Sequence, residues 1–167
     1  MTLRLILTRH AKSSWDDLMM DDHDRPLNKR GRAAATAVGQ WLAARGYVPV
    51  EAIVSSSERT RETWDLAAQA FETHTELTIR PDLYHAEPEA LLAALRAARG
   101  EVVIMIAHNP GIAYFAQGLV QEPPADARFA RYPTAATAVI DFDEDEWGSV
   151  AWRSGEVVDY VFARDLT

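Results

Sequence analysis

The stretch that most constrains the fold of this chain is "VVIMIA", Val102 to Ala107. It is a near-continuous apolar run of strand length, with no polar residue on either face. A strand of that kind is buried on both sides, as the central strand of a parallel sheet is. Parallel neighbours need crossover connections, which are usually helical, so helices are required above and below the sheet. The fold class is therefore an α/β domain of three layers, with a mostly parallel central sheet and helices on both faces.

The remaining segments fill that scheme within one domain, residues 1–167. Leu3 to Thr8 reads as the first strand. A polar loop centred on "DDLMMDDHDRP" comes next. Asn28 caps a helix over Lys29 to Arg45, whose Ala34, Ala37, Val38, Trp41 and Leu42 share helical spacing, and Gly46 ends it. Glu51 to Ser55 reads as a second strand, and Glu58 to Phe71 as a helix with Trp64 on its apolar face. "LTIRP" is a short strand ending at Pro81, and "EPEALLAALRAARG" a third helix. After the central strand, "HNPGIAYFAQGLV" starts a helix with Asn109 as cap and Pro110 at its first position. From about Ala136 the pattern changes to "TAVIDF", "SVAWRS" and "VVDYVFA", read as strands joined by short turns, with the acidic run Asp141 to Glu146 read as a solvated turn.

In open α/β sheets ligands sit beyond the carboxyl ends of the strands. The first strand ends at Arg9-His10, the second runs through Ser55-Ser56-Ser57 to Arg59, and the central one ends at His108. If these strands are neighbours, two histidines and two arginines meet at one edge, with helix N-termini after Ser57 and after Asn109 adding partial positive charge. Arginine forks match phosphate oxygens. Neutral imidazole is a competent nucleophile toward phosphorus and is well populated near pH 7. The pattern points to an anionic, phosphorylated substrate.

Composition removes several alternatives. The net charge of −8 argues against general nucleic-acid binding, which needs surplus Lys and Arg. It also requires any anion site to be a local cationic focus. The chain has no cysteine, which excludes disulfides, thiol catalysis and cysteine-ligated zinc and fits a cytoplasmic protein. No stretch approaches the length of a membrane span, and the first apolar run is too short for a secretory signal.

"LTRHAKSSWD" resembles the N-terminal signature of the histidine phosphatase superfamily, which has the phosphoglycerate mutase-like fold, and within it the SixA-type phosphohistidine phosphatases. The usual Arg-His-Gly stands here as Arg9-His10-Ala11. "HDRPLNKRGRAAA" resembles a second block and brings Arg25. "SSSERTRET" is similar to Ser-x-x-x-Arg-x-x-Gln-Thr, which marks Arg59 rather than Arg61 and puts Glu62 in the Gln place. "VVIMIAHNPGI" resembles the block of the second histidine, His108, and "FARDL" the end of this branch. The resemblance implies a metal-independent phosphatase without cofactor. His10 would be phosphorylated transiently, Arg9, Arg59 and His108 would clamp the phosphoryl oxygens, and Arg25 would assist. Lys12 and Ser13, which follow His10 in the chain, are read separately as residues that could donate hydrogen bonds to the phosphate. The substrate would be phosphohistidine in a protein. The alternatives are a phosphatase of small phosphorylated metabolites, and a non-catalytic phosphoprotein-binding module. Nothing in the pattern specifies an oligomeric state.

Two departures from the family pattern stand out. Where many members carry a Leu-x-Glu general acid, this chain has "LYHAEPE", with His85 at that place and Glu87 two residues on. A phosphoramidate has a better leaving group than an alkyl ester and demands less of an acid, so the departure leans toward P–N substrates. The second is Asp16, where mutase-like members often have Asn; it is expected to point away or to pair with a site arginine. His23 is expected to be solvated or salt-bridged, His74 to be on the surface, Arg61 to be exposed or paired with an acid, and Trp15 to line an entrance. The Met19-Met20 loop could cover the site.

Overall fold

The computed structural model describes residues 2–166. Its six strands form one sheet in the order β3-β2-β4-β1-β5-β6. These are β1 (Thr2–Arg9), β2 (Glu51–Ser55), β3 (Glu76–Arg80), β4 (Val102–Ala107), β5 (Thr137–Asp143) and β6 (Glu156–Val161). The first four run parallel to one another, whereas β5 is antiparallel to both β1 and β6. The apolar run of β4 lies between β2 and β1, pairing Arg9 with Ala107 on one side and Val54 with Ile106 on the other.

The strand period of two divides the core. Leu3, Leu5 and Leu7 of β1, with Val103 and Met105 of β4, pack on one face beneath α3 (Pro88–Arg96) and α4 (Gly111–Leu119). Ile6, Ile104 and Ile106 pack on the other, beneath α1 (Lys29–Ala44) and α2 (Glu58–Ala68). A fifth helix, α5 (Ala127–Arg131), leads into β5. This is the three-layer arrangement expected of a strand that is apolar on both sides.

Local chemistry sets the helix starts. Asn28 Oδ1 accepts from the Gly31 amide at 2.7 Å, as a cap should. Ser57 Oγ accepts from the Thr60 amide at 3.3 Å and opens α2. The α2 helix ends at Ala68, earlier than the sequence pattern suggests, because its last amides turn to tighter bonds, Ala70 to Ala67 and Phe71 to Ala68. Phe71 still packs on Trp64, with ring centroids 6.2 Å apart.

Three expectations need correction. Asn109 does not cap α4: the helix begins at Gly111, and the Asn109 amide group instead donates to the Arg131 and Tyr132 carbonyls at 2.9 and 3.2 Å. "SVAWRS" is not a strand. Its backbone bonds go to the end of α4, Arg153 to Gly118 and Ser154 to Leu119, so the segment folds as turns and leaves β6 to pair with β5. The acidic run is not all turn: Asp141 belongs to β5 and holds Arg4 in a bidentate pair at 2.7 and 2.9 Å.

Candidate active site

Because β1, β2 and β4 are neighbours, their carboxyl ends bring Arg9-His10, the Ser55-to-Ser57 turn and His108 together. A cavity of about 310 Å³ opens there. Its floor holds His10, Arg59 and His108, all buried. Arg9 and Arg25 line it as well, together with Lys12, Ser13 and His85. Every site residue expected from the sequence thus faces one space.

His10 is oriented by its own main chain. Its Nδ1 lies 2.7 Å from the Ala11 carbonyl, which can only accept, so Nδ1 carries the proton and Nε2 keeps its lone pair. The Ala11 amide is itself fixed by Thr63 Oγ1 at 3.0 Å, which ties the loop after β1 to α2. Burial pushes the His10 pKa down to about 3, helped by Arg9, Arg59 and Arg25 and opposed by the Ala11 hydrogen bond. The ring is therefore neutral near pH 7, the state a nucleophile needs.

The His108 ring centroid is 5.3 Å from that of His10. Its Nε2 is 2.8 Å from Ser55 Oγ. With the Ser55 hydroxyl donating to Nε2, Nδ1 bears the proton, and Nδ1 is buried without a partner. Burial, then His10 and Arg59, hold His108 neutral too, at about 2. Arg9 Nε and Arg59 Nε are likewise buried without a partner. Orphaned buried donors are rare and costly in folded proteins. The side chains that carry these three orphans, Arg9, Arg59 and His108, all line one cavity, an arrangement suited to the oxygens of an oxyanion.

The carboxylate of this site is Asp22, which no sequence pattern singled out. Arg59 Nη2 donates to Asp22 Oδ2 at 3.0 Å, Arg59 Nη1 to the Asp22 carbonyl at 2.8 Å, and Arg25 Nε to Oδ1 at 3.1 Å. The Tyr84 hydroxyl also donates to Oδ2. Burial would raise the Asp22 carboxyl, but Tyr84, Arg59 and Arg25 hold it well below the usual carboxylate range. The signal available in the sequence was an acid three residues before Arg25, in a turn too short to show periodicity. Thr134 and Asn109 also line the cavity; neither was marked as a site residue.

The rest of the expected set separates cleanly. Arg25 is buried and spends its donors on Asp22, Ser13 Oγ and the Ser14 carbonyl, with Trp15 stacked on its guanidinium at 3.6 Å. It therefore organises the loop as well as lining the cavity. Lys12 lines the cavity from an exposed position. His85 has a left-handed backbone, φ 61°, and stacks on Tyr84 at 3.9 Å. Glu87 is exposed, precedes α3 and does not line the cavity. Asp16 is exposed and forms no ion pair with the site arginines; Asp22 occupies that role. His23 meets Ser56 Oγ at 2.9 Å, Arg61 is near Glu58 at 3.7 Å, and His74 is on the surface. Glu62 accepts from the Leu27 amide at 2.9 Å and so braces the loop from behind.

Two glycines let the cavity walls close. A Cβ on Gly31 would lie 2.0 Å from the Lys12 carbonyl oxygen, and one on Gly111 would lie 2.0 Å from the Ala86 carbonyl oxygen. Only hydrogen fits at either contact. Among the described residues no group of three or more His, Cys, Asp or Glu is arranged to hold a metal ion. No helix there is long and apolar enough to cross a membrane.

Comparison with known proteins agrees with this geometry. An uncharacterized protein of Mycobacterium leprae (strain TN) is 30% identical over 165 residues, covering 93% of this chain and 99% of that one. An uncharacterized chloroplastic protein of Arabidopsis thaliana is 57% identical over 60 residues, which is 36% of this chain and 28% of that one. The structure of a candidate phosphohistidine phosphatase SixA from Nakamurella multipartitia superposes with a TM-score of 0.81 at 27% identity, covering 97% of this chain and 96% of that one. The family model described as histidine phosphatase superfamily (branch 1) matches residues 5–87, the segment carrying His10, Arg25 and Arg59. A six-stranded sheet with this edge chemistry, matched along its length, places the chain in the histidine phosphatase superfamily, with the phosphoglycerate mutase-like fold.

Proposed function

We propose that the protein is a SixA-type phosphatase that hydrolyses phosphohistidine in a protein substrate through a transient phosphohistidine on His10. The observation that supports this best is the neutral His10 ring, with Nε2 free, set among the unpartnered donors Arg9 Nε, Arg59 Nε and His108 Nδ1. In the first step Nε2 attacks phosphorus, a P–N bond to His10 forms and the P–N bond to the substrate imidazole breaks. The departing imidazole needs one proton, and His85, which lines the cavity, is the group assigned to supply it. Water then attacks the phosphoenzyme, the His10 P–N bond breaks, and inorganic phosphate leaves. Charge spread over the phosphoryl oxygens in both steps is met by donors already in place, so little reorganisation is required.

A second reading, hydrolysis of small phosphomonoesters, is favoured by one feature: the cavity is large enough for a small metabolite. Its weakness is the leaving group. An alkyl oxygen needs firm protonation, and neither Asp82, which pairs with Arg80, nor Glu87 lines the cavity.

The test is incubation with a histidine-phosphorylated protein and with p-nitrophenyl phosphate, each with chelator present. Turnover should persist and an acid-labile, alkali-stable phosphoenzyme should be trapped. Unchanged rates in His10→Ala would overturn the nucleophile assignment. Vigorous ester hydrolysis with no action on phosphohistidine would establish the second reading instead.

A further inference from the structure

The loop after β1 carries an apolar group that the chemistry above does not use. Leu18 is 82% exposed and Met19 92% exposed, with Met20 beside them. Trp15, 66% exposed, stands at the other end of the same loop. A contiguous group of large exposed apolar side chains rimmed by polar residues is a mark of an interaction surface. The loop holds a defined shape: the Met19 amide bonds Asp17 Oδ1 at 3.0 Å and the Met20 amide bonds the Asp17 carbonyl at 3.3 Å.

The position of this group is fixed relative to the chemistry. Trp15 lines the cavity and stacks on Arg25, and Asp22 reaches Arg25 and Arg59. Leu18 and Met19 lie between these two anchors along the chain, outside the lining of the cavity itself, on the loop that borders it. Around them Asp16, Asp17, Asp21 and Asp24 are all exposed. An apolar centre with an acidic border is complementary to an apolar patch bordered by Lys or Arg.

We propose that the Leu18–Met19 tip and its carboxylates form the docking surface for the phosphohistidine-bearing protein, and that this partner presents an apolar, basic surface around its phosphorylated histidine. The assignment rests on the phosphohistidine reading above. Binding at the rim delivers the phosphoryl group to His10 while the cationic floor deals only with phosphate. An acidic rim and a basic floor also sort the partner's charges: its cations stay outside and its phosphoryl anion goes in.

The experiment uses two phosphohistidine peptides of equal length, one with Leu, Met and Lys around the phosphohistidine and one with Ser and Glu. The wild-type kcat/KM is expected to favour the apolar, basic peptide by about tenfold or more. In the double variant Leu18→Ser with Met19→Ser that preference should collapse, through KM, while hydrolysis of p-nitrophenyl phosphate stays unchanged. Asp16→Asn with Asp17→Asn should weaken it in part and remove most of its dependence on salt. Equal turnover of the two peptides by the wild type overturns the surface and leaves the phosphatase reading intact. An equal fall with both peptides and with p-nitrophenyl phosphate in the Leu18/Met19 variant also overturns it, because the tip would then be a cover for the site. Turnover of neither peptide, with the ester still hydrolysed, overturns the phosphohistidine reading and the docking surface with it.

Discussion

The floor and the rim of the cavity are built by different means. The floor groups His10, Arg59 and His108 are buried and mounted where strands end or a helix begins. Their positions are set by the sheet, which cannot shift one strand without disturbing the packing of its neighbours. The rim is a loop, with Trp15, Leu18 and Met19 exposed and shaped by local turns. Reaction chemistry that must not vary sits on the part of the fold that cannot vary, and recognition sits where substitution is cheap. Asp22 belongs to the loop by sequence and to the floor by function, since its carboxylate joins Arg25 to Arg59.

That contrast can be broken by experiment. The largest effect is expected for His10→Ala, which should lower kcat for every substrate by about 10⁴-fold or more, as losing a nucleophile does. Activity retained on one substrate class but not another would show that floor and rim are not separate. Arg59→Ala and His108→Ala each remove an oxyanion donor and should cost about 10²–10³ in kcat. Asp22→Asn should act both ways: inhibition by inorganic phosphate tightens as a negative charge leaves the arginines, and kcat falls about tenfold as they lose the carboxylate that bridges them. The last expected effect is an absence of change. Burial and the neighbouring arginines keep His10 neutral, so its ring resonances should be flat from about pH 8 to about pH 5. Stability should not be flat. His10 and His108 take up protons near pH 6.5 once unfolded but resist them when folded. The folded state should therefore weaken as pH falls below about 6.5, by up to about 1.4 kcal/mol per pH unit for each histidine. Thermal unfolding at a series of pH values checks this, with a shallower dependence expected for His10→Ala.

The floor was legible in the sequence because strand ends are. The apolar run to Ala107 gives β4 from hydrophobicity alone, so the next residue, His108, must emerge at the sheet edge. Arg9-His10 and Arg59 obey the same logic. The rim was not legible, since no periodicity governs "DDLMMDDHD" and nothing in it shows that Asp22, among five neighbouring aspartates, is the one to meet the arginines. Asn109 shows the opposite failure. Its residue type and the Pro after it are a strong cap signal, yet tertiary bonds to Arg131 and Tyr132 take its side chain. "SVAWRS" fails for a related reason: its alternating pattern reflects the burial of Val150 and the packing of Trp152 on Phe115 at 5.9 Å, not pairing in the sheet.

The contacts at Gly31 and Gly111 bear on how such a site can diverge. Each is a place where a helix start touches the backbone of a cavity wall, Lys12 on one side and Ala86, next to His85, on the other. Adding a methyl group at either would force that wall to move, and with it Lys12 or His85, which line the cavity. Two hydrogen atoms therefore act as spacers that set the bore of the pocket. A lineage that keeps this bore must keep both glycines, although neither carries a reactive group.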